Sequence, residues 1–330
     1  MSDTIRWGIL GTGSIAHKFA KGLAVLPDAA LVAVGSRRQE TADAFGDEFD
    51  VPNRHAGYEA LAADPDVDVV YVATPHVFHC DNTVLCLDHG KHVLCEKPFA
   101  INAQETRRMI TAARKNQRFL MDAVWTRFLP TMVKLREILA SGRIGEAKLM
   151  QVDFGFRAGL NPEARLFNPA LGGGALLDVG IYVVQLAAMV FGQPPAKIVS
   201  TMQLGDTGVD EQTAMLFTYD QGQMAQLACA IRTSTPQEAS IFGSEGRIHL
   251  PSAWWNGKTL MVWDKSSGAE GETMSLPFVG NGYNCEAQAV MDCIRAGKLE
   301  SDIMPLDDTI QLMETLDTVR AQGGLVYPME

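Results

Sequence analysis

The opening stretch of this chain restricts its fold more than any other. Ile5-Arg6-Trp7-Gly8-Ile9-Leu10 reads as a buried strand, and it runs into Gly11-Thr12-Gly13-Ser14-Ile15-Ala16 and an amphipathic segment reaching Leu26. Strand, small-residue turn and helix in that order form the first crossover of a parallel sheet. Gly11 makes the tight bend, Gly13 lets a pyrophosphate approach the backbone, and Ala16 keeps helix and strand close. A bare G-x-G-x-x-A says little. Between a strand and a helix it marks a dinucleotide site.

The next hundred or so residues repeat the alternation. Ala30–Gly35 is a second apolar strand, followed by Ser36-Arg37-Arg38 with no acid before Glu40. An acid there would hold a ribose 2′-hydroxyl, whereas guanidinium forks suit a 2′-phosphate, so NADP is preferred and NAD stays possible. Val67–Ala73 is a further strand, ended by Thr74-Pro75 and followed by His76 and His79. A short strand His92–Cys95 stops at Glu96-Lys97-Pro98, a helix spans 102–116 with Asn102 as cap and Glu105 at the capping-box offset, and Phe119–Val124 is the sixth strand. This pattern predicts a doubly wound parallel sheet, the Rossmann arrangement, over residues 1–124. Residues 74–79, 96–98 and 125–128 all follow strand C-termini, the edge where such sheets bind ligands. Lys97 leaves a buried strand there, with Pro98 confining it to extended backbone.

From residue 146 the period changes. Met150, Val152 and Phe154 alternate with Gln151, Asp153 and Gly155, and six more strand-like runs lie between Lys197 and Trp263 with no helices among them. Residues 125–330 are therefore expected to form an α+β substrate-binding and dimerisation domain with a large, mostly antiparallel open sheet. Two closing helices, near 283–296 and 306–322, are free to return to the first domain.

One long helix interrupts the second domain, entered by Gly172-Gly173-Gly174 and continuing Ala175-Leu176-Leu177-Asp178-Val179-Gly180-Ile181-Tyr182. At helical spacing Asp178, Tyr182, Gln185 and Met189 share a face, and the other positions are almost all apolar. An acid and a phenol are thus carried inside. They satisfy each other in a core, or they face a ligand that the glycines let approach.

Composition excludes several classes. A net charge of −11 argues against nucleic acid and anionic membranes as partners. The six cysteines lack C-x-x-C spacing and sit mostly in apolar segments, so free thiols are expected rather than disulfides or a metal site. The reading is of a cytoplasmic protein with no signal peptide and no apolar run of spanning length.

The N-terminal G-x-G-x-x-A, the Glu96-Lys97-Pro98 turn and Gly172-Gly173-Gly174-Ala175-Leu176-Leu177-Asp178 ahead of Tyr182 together resemble the glucose-fructose oxidoreductase, inositol dehydrogenase and rhizopine-catabolism (Gfo/Idh/MocA) family, over essentially the whole chain. Leu94–Pro98, Val124-Trp125-Thr126-Arg127-Phe128 and Gly173–Asp178 are most similar to its dimeric dihydrodiol dehydrogenases and NADP-dependent xylose dehydrogenases. Many members carry histidine where this chain has Tyr182, which turns the resemblance away from inositol-type chemistry. It implies hydride transfer between NADP and a hydroxyl or carbonyl carbon, with Lys97, Tyr182 and Asp178 as catalytic candidates. The cofactor candidates are Gly11, Thr12, Gly13, Ser14, Ile15, Ala16, Ser36, Arg37, Arg38, Thr74, Pro75, His76, His79, Glu96, Lys97 and Pro98. Trp125, Arg127, Phe154, Trp254 and Phe278 are the substrate candidates, because sugars and dihydrodiols have flat faces that stack on rings. The alternatives are another aldose or cyclitol dehydrogenase of the family, or a non-catalytic NADP-sensing regulator. A small-molecule substrate and a homodimer, or a pair of dimers, complete the expectation.

Overall fold

The computed structural model describes residues 4–330. The chain divides into two compact units, Met1–Phe128 with Val279–Ile310, and Leu129–Phe278 with Gln311–Glu330. The boundary falls after Phe128 rather than after residue 124, and the return of residues 279–310 has a physical basis in the contacts below.

The first unit holds β1 (Ile5–Leu10), β2 (Ala29–Ser36), β3 (Asn53–Ala56), β4 (Val69–Val72), β5 (His92–Glu96) and β6 (Leu120–Ala123), in the order β3-β2-β1-β4-β5-β6 with every neighbour parallel. The strand order reverses between β1 and β4, the place where such sheets open a ligand crevice. Strands buried on both faces read as continuous apolar runs, and Val69, Val70, Tyr71 and Val72 are all buried. The helix Ala103–Asn116 starts as its sequence predicts: Asn102 accepts a hydrogen bond from the Glu105 amide at 2.9 Å, and Glu105 accepts one from the Ile101 amide at 3.3 Å. The short strand β3 and the helix Tyr58–Ala62 lie outside the expected pattern, being too short to show a period.

The returning segment is fastened by polar and aromatic contacts. Tyr283 stacks on Trp125 with centroids 4.7 Å apart, Asn281 donates to the Lys18 carbonyl at 2.7 Å, and Arg295 pairs with Asp28 at 2.6 Å. Arg127 is 2% exposed and donates to Asp308 at 2.9 Å and to the Ile303 carbonyl at 3.1 Å. A buried guanidinium needs such partners.

The second unit opens on a helix, Pro130–Ala140, whose weak period hid it in the sequence. Its sheet has eight strands: β7 (Ala147–Gly155), β8 (Lys197–Leu204), β9 (Asp210–Thr218), β10 (Met224–Ala230), β11 (Ala239–Gly243), β12 (Arg247–Leu250), β13 (Thr259–Trp263) and β14 (Glu272–Ser275), in the order β14-β13-β12-β11-β7-β10-β9-β8. All neighbours are antiparallel except β7 and β10. Met150, Val152 and Phe154 are buried on one face, as the alternation requires. The long helix packs on that face, with a π-helical turn at Leu176–Gly180 and regular α-helix over Ile181–Phe191. Residues 181–187 are buried. The stretch Pro169–Phe191 is in fact long and apolar enough to meet a spanning criterion, contrary to the sequence expectation, and most of it is buried within the fold as a core helix. All six cysteines are free thiols.

Candidate active site

Each unit carries half of the predicted constellation. In the first, Gly11 has φ +104°, and a Cβ there would stand 2.9 Å from the Ala73 carbonyl oxygen, so only glycine permits this approach of β1 to β4. The Gly11 amide donates to the Gly35 carbonyl at 2.8 Å. Around Gly13 the space is open, with no heavy atom within 4 Å of where a Cβ would be. The helix Ser14–Leu23 begins directly after it and has no side-chain cap, leaving its first amides to a ligand or solvent. Open room above an uncapped helix N-terminus fits a pyrophosphate.

At the end of β2, Ser36 is buried and tied to Thr41 at 2.6 Å and Thr12 at 3.4 Å, while Arg37 and Arg38 are exposed. The hydroxyls fix the turn and the guanidinium groups extend from it. Past β4, Thr74 accepts at Oγ1 from Asn82 at 3.2 Å. His79 is fully buried, and both its ring nitrogens lie 2.8 Å from backbone carbonyl oxygens, of Thr74 and Pro98. Its position makes it a clasp between the turns after β4 and β5 rather than a group turned toward a ribose. His76 lies beside it, with ring centroids 5.7 Å apart. The Lys97–Pro98 peptide is cis, with Pro98 buried and Lys97 half-buried. Glu96 is held from both sides: Tyr71 donates its hydroxyl to one oxygen, and the Lys97 amide donates to the other at 3.1 Å.

In the second unit the glycines serve close packing. A Cβ on Gly173 would meet the Arg165 and Leu166 carbonyl oxygens at 2.7 Å, and one on Gly174, at φ +118°, would collide with the Asp210 carboxyl group. The Gly173 carbonyl accepts from the Tyr327 hydroxyl at 2.7 Å, and the Leu176 amide donates to Asp210 at 2.8 Å. Asp178 pairs with Arg165 at 2.9 Å. Sequence reasoning did not name Arg165, because its loop has no regular period to place it.

Tyr182 lies among rings. Phe154 is 5.4 Å away, and Trp255 stacks on Phe154 at 5.0 Å with planes 9° apart. The adjacent Trp254 is fully buried and donates to the Asp153 carbonyl at 2.9 Å. It is therefore a core residue, and its neighbour Trp255 is the ring that stacks on Phe154 near Tyr182. A short 3-10 turn puts adjacent residues on different faces, which no alternation in the sequence reveals. Phe278 is half-buried under the Lys258 ammonium at 4.8 Å. Arg127 is occupied by Asp308 and Ile303, which makes it an anchor of the first unit instead of a substrate contact.

Residues 5–123 match the oxidoreductase family with an NAD-binding Rossmann fold, and residues 132–249 match the GFO/IDH/MocA C-terminal domain. The chain belongs to the Gfo/Idh/MocA oxidoreductase family. This family member is 38% identical to trans-1,2-dihydrobenzene-1,2-diol dehydrogenase of Mus musculus and 37% identical to that of Homo sapiens, each over 99% of both chains. Among solved structures, a 3-ketoreductase from Actinomadura kijaniata in complex with NADP and TDP-benzene matches with a TM-score of 0.86 at 26% identity, covering 97% of this chain and 98% of that one. An aldose-aldose oxidoreductase from Caulobacter crescentus shares the fold with a TM-score of 0.89 at 24% identity and the same coverage. The protein is a dehydrogenase or reductase of this family, with a parallel Rossmann sheet and a second domain built on a mixed, mainly antiparallel sheet.

Proposed function

We propose that the enzyme uses NADP for reversible hydride transfer to and from a hydroxyl- or carbonyl-bearing carbon of a trans-dihydrodiol or a similarly flat polyol such as an aldose. The observation that carries this reading is the end-to-end similarity to the trans-1,2-dihydrobenzene-1,2-diol dehydrogenases. The stacked Phe154–Trp255 pair beside Tyr182 supports it, since a flat apolar ring face packs well on such a wall. The preference for NADP rests on Arg37 and Arg38, exposed where a 2′-phosphate would lie in a Rossmann fold, and on the absence of an acid before Glu40. NAD is the weaker alternative.

When bound, the nicotinamide supplies the redox chemistry. The chain must place the substrate and move one proton. Tyr182 is the acid/base in this reading. A free phenol titrates near about 10, too high to serve as a base at neutral pH, and a nearby cation favours its ionised form. Lys97 is the candidate cation. Asp178, paired with Arg165, steadies the entrance of the helix that carries Tyr182. His79 holds the turn from which Lys97 projects.

The proposal includes a homodimer, or a pair of dimers, on the outer face of the second unit's sheet. Val199 and Leu216 pair across β8 and β9 and are 51% and 39% exposed, and Met224 on β10 is 42% exposed. Apolar residues grouped on an open sheet face mark an interface.

The test is absorbance at the reduced-nicotinamide band with NADP and a panel of dihydrodiols, aldoses and dicarbonyls. On the substrate found, Tyr182→Phe should lower turnover about 10²–10⁴-fold with NADP binding near wild type, because the ring stays and the transferable proton goes. Lys97→Met should also slow turnover and move the alkaline limb upward, and the double variant should lose little more than Tyr182→Phe alone. Activity retained in Tyr182→Phe would place the acid elsewhere. No turnover across the panel would favour an NADP-binding regulator.

A further inference from the structure

Two adjacent tryptophans of the second unit have their indole nitrogens tied to the end of β7 and to the chain just ahead of β11. Trp254 donates its indole N–H to the Asp153 carbonyl at 2.9 Å, and Trp255 donates its own to Oε1 of Gln237 at 3.1 Å. Gln237 is held at every polar atom. Its amide donates to the Asp153 carboxylate at 2.7 Å, its carbonyl accepts from the Trp254 amide at 3.1 Å, and its side-chain Nε2 donates to the Gly155 carbonyl at 2.9 Å. Its backbone has φ +59°, uncommon for a residue with a side chain. Glycine would adopt that backbone freely but would offer nothing to the indole. A residue persists in such a conformation where its surroundings over-determine it, as these four bonds do.

Asp153 and Gly155 flank Phe154 on β7, so Gln237 is bound to both neighbours of the ring on which Trp255 stacks, at 5.0 Å with planes 9° apart. The Trp255 indole is thereby fixed at its edge by the amide and on its face by Phe154, and Tyr182 lies 5.4 Å from the phenylalanine ring and 6.4 Å from the indole. An indole carries its polar group on one edge, so a partner for the N–H selects one orientation of the ring. We propose that Gln237 is a positioning residue that locks the Trp255 indole against Phe154 and so presents a pre-formed flat wall beside Tyr182 for a cyclic diol. A side chain ordered before binding does not have to be immobilised by the substrate, which leaves more of the stacking contact to appear as affinity. Asp153 acts one step further back, by holding the Gln237 backbone in the conformation that aims the amide. That the wall receives substrate rests on the function proposed above; the lock on Trp255 does not.

The test uses the intact, NADP-loaded protein, with catechol as the flat diol. The indole N–H signal of Trp255 in proton–nitrogen spectra, identified by its loss in Trp255→Phe, should exchange with solvent several-fold faster in Gln237→Met, which keeps the length of the side chain and removes the amide. The Trp254 signal should stay in place, since its acceptor is a backbone carbonyl. Catechol should move the Trp255 signal, and its binding should weaken about five-fold in Gln237→Met, the factor expected for one typical hydrogen bond. In a Trp255→Phe background the same substitution should cost almost nothing, because the amide acts through the indole. A Trp255 N–H that exchanges as fast as a free indole in wild type would overturn the lock, and this reading needs no variant to fold. Movement of both indole signals in Gln237→Met would make the residue a general prop of the strand ends and overturn it too. An equal loss of catechol affinity in both backgrounds, or a wild-type Trp255 signal that catechol leaves unmoved, would overturn the role in substrate binding. None of these readings involves turnover, so failure of the proposed reaction is a separate outcome.

Discussion

Asp210 offers a perturbation whose size can be worked from the structure. Its side chain is fully buried, and one oxygen accepts from both the Leu176 amide and the Thr213 hydroxyl at 2.8 Å. It thereby caps the turn that leads through Asp178 to Tyr182. Burial raises its pKa to about 6, against the lowering effect of those hydrogen bonds. A carboxyl group raised in the folded state keeps its proton where the unfolded chain has lost it. Its contribution to stability therefore falls as pH climbs from the unfolded value near about 4 to the folded one, at about 1.4 kcal/mol for each pH step of one. Between about pH 4.5 and about pH 7 this amounts to about 2 kcal/mol. Asp210→Asn keeps the shape and an acceptor oxygen but cannot ionise, so its destabilisation relative to wild type should be greatest at the acid end and shrink by that amount toward neutrality. Hydrogen exchange of the Leu176 amide reports this locally, and comparing the two proteins at the same pH cancels the intrinsic pH dependence of exchange. We expect the ratio of their exchange rates to change roughly thirty-fold between the two conditions. A ratio that stays constant with pH would mean that Asp210 is ionised in the fold at both, and would refute the reasoning.

Two further outcomes follow from the other elements. Arg37→Ala should weaken NADP binding about ten-fold or more, as loss of a charge-assisted contact does, while leaving NAD nearly unaffected; equal losses measured by titration would assign Arg37 another role. Light scattering at micromolar concentration should give a dimer or a tetramer, and Leu216→Lys on the open face of β9 should shift it toward monomer. A wild-type monomer would refute the interface.

The parts of the site that were legible in the sequence are those whose signal is local. Gly11, Gly13 and Ala16 carry their meaning within one turn, and Asn102 with Glu105 needs only three residues to form its cap. The alternation of Met150, Val152 and Phe154 announces a strand with one buried face, yet it says nothing of partners, and the parallel pairing of β7 with β10 is a tertiary outcome. The helical period around Asp178 and Tyr182 located the buried helix but not its π turn at Leu176–Gly180, which changes the phase between the two side chains. Asp178 accordingly meets Arg165 from a loop, and Tyr182 meets Phe154 and Trp255 from separate elements. Arg127 and Trp254 misled for one reason: residue type and chain position suggest a surface role, and burial decides otherwise.

The returning segment explains why the carboxyl edge of the first sheet could not be read from residues 1–128 alone. Val279–Ile310 brings Tyr283 onto Trp125 and Asp308 onto Arg127. Each contact falls beside the strand ends that the crevice uses. A buried acid such as Glu286 is costly unless neutral or paired, and a core needing only apolar fill would be better served by leucine. Burial raises Glu286 well above the ordinary carboxylate range, with Glu96 and Asp122 adding to it, so the helix from the far end of the chain carries it as a neutral acid. The chain's return closes the first unit through Tyr283 on Trp125 and Asp308 on Arg127, and it is these contacts that fix the segment following β6.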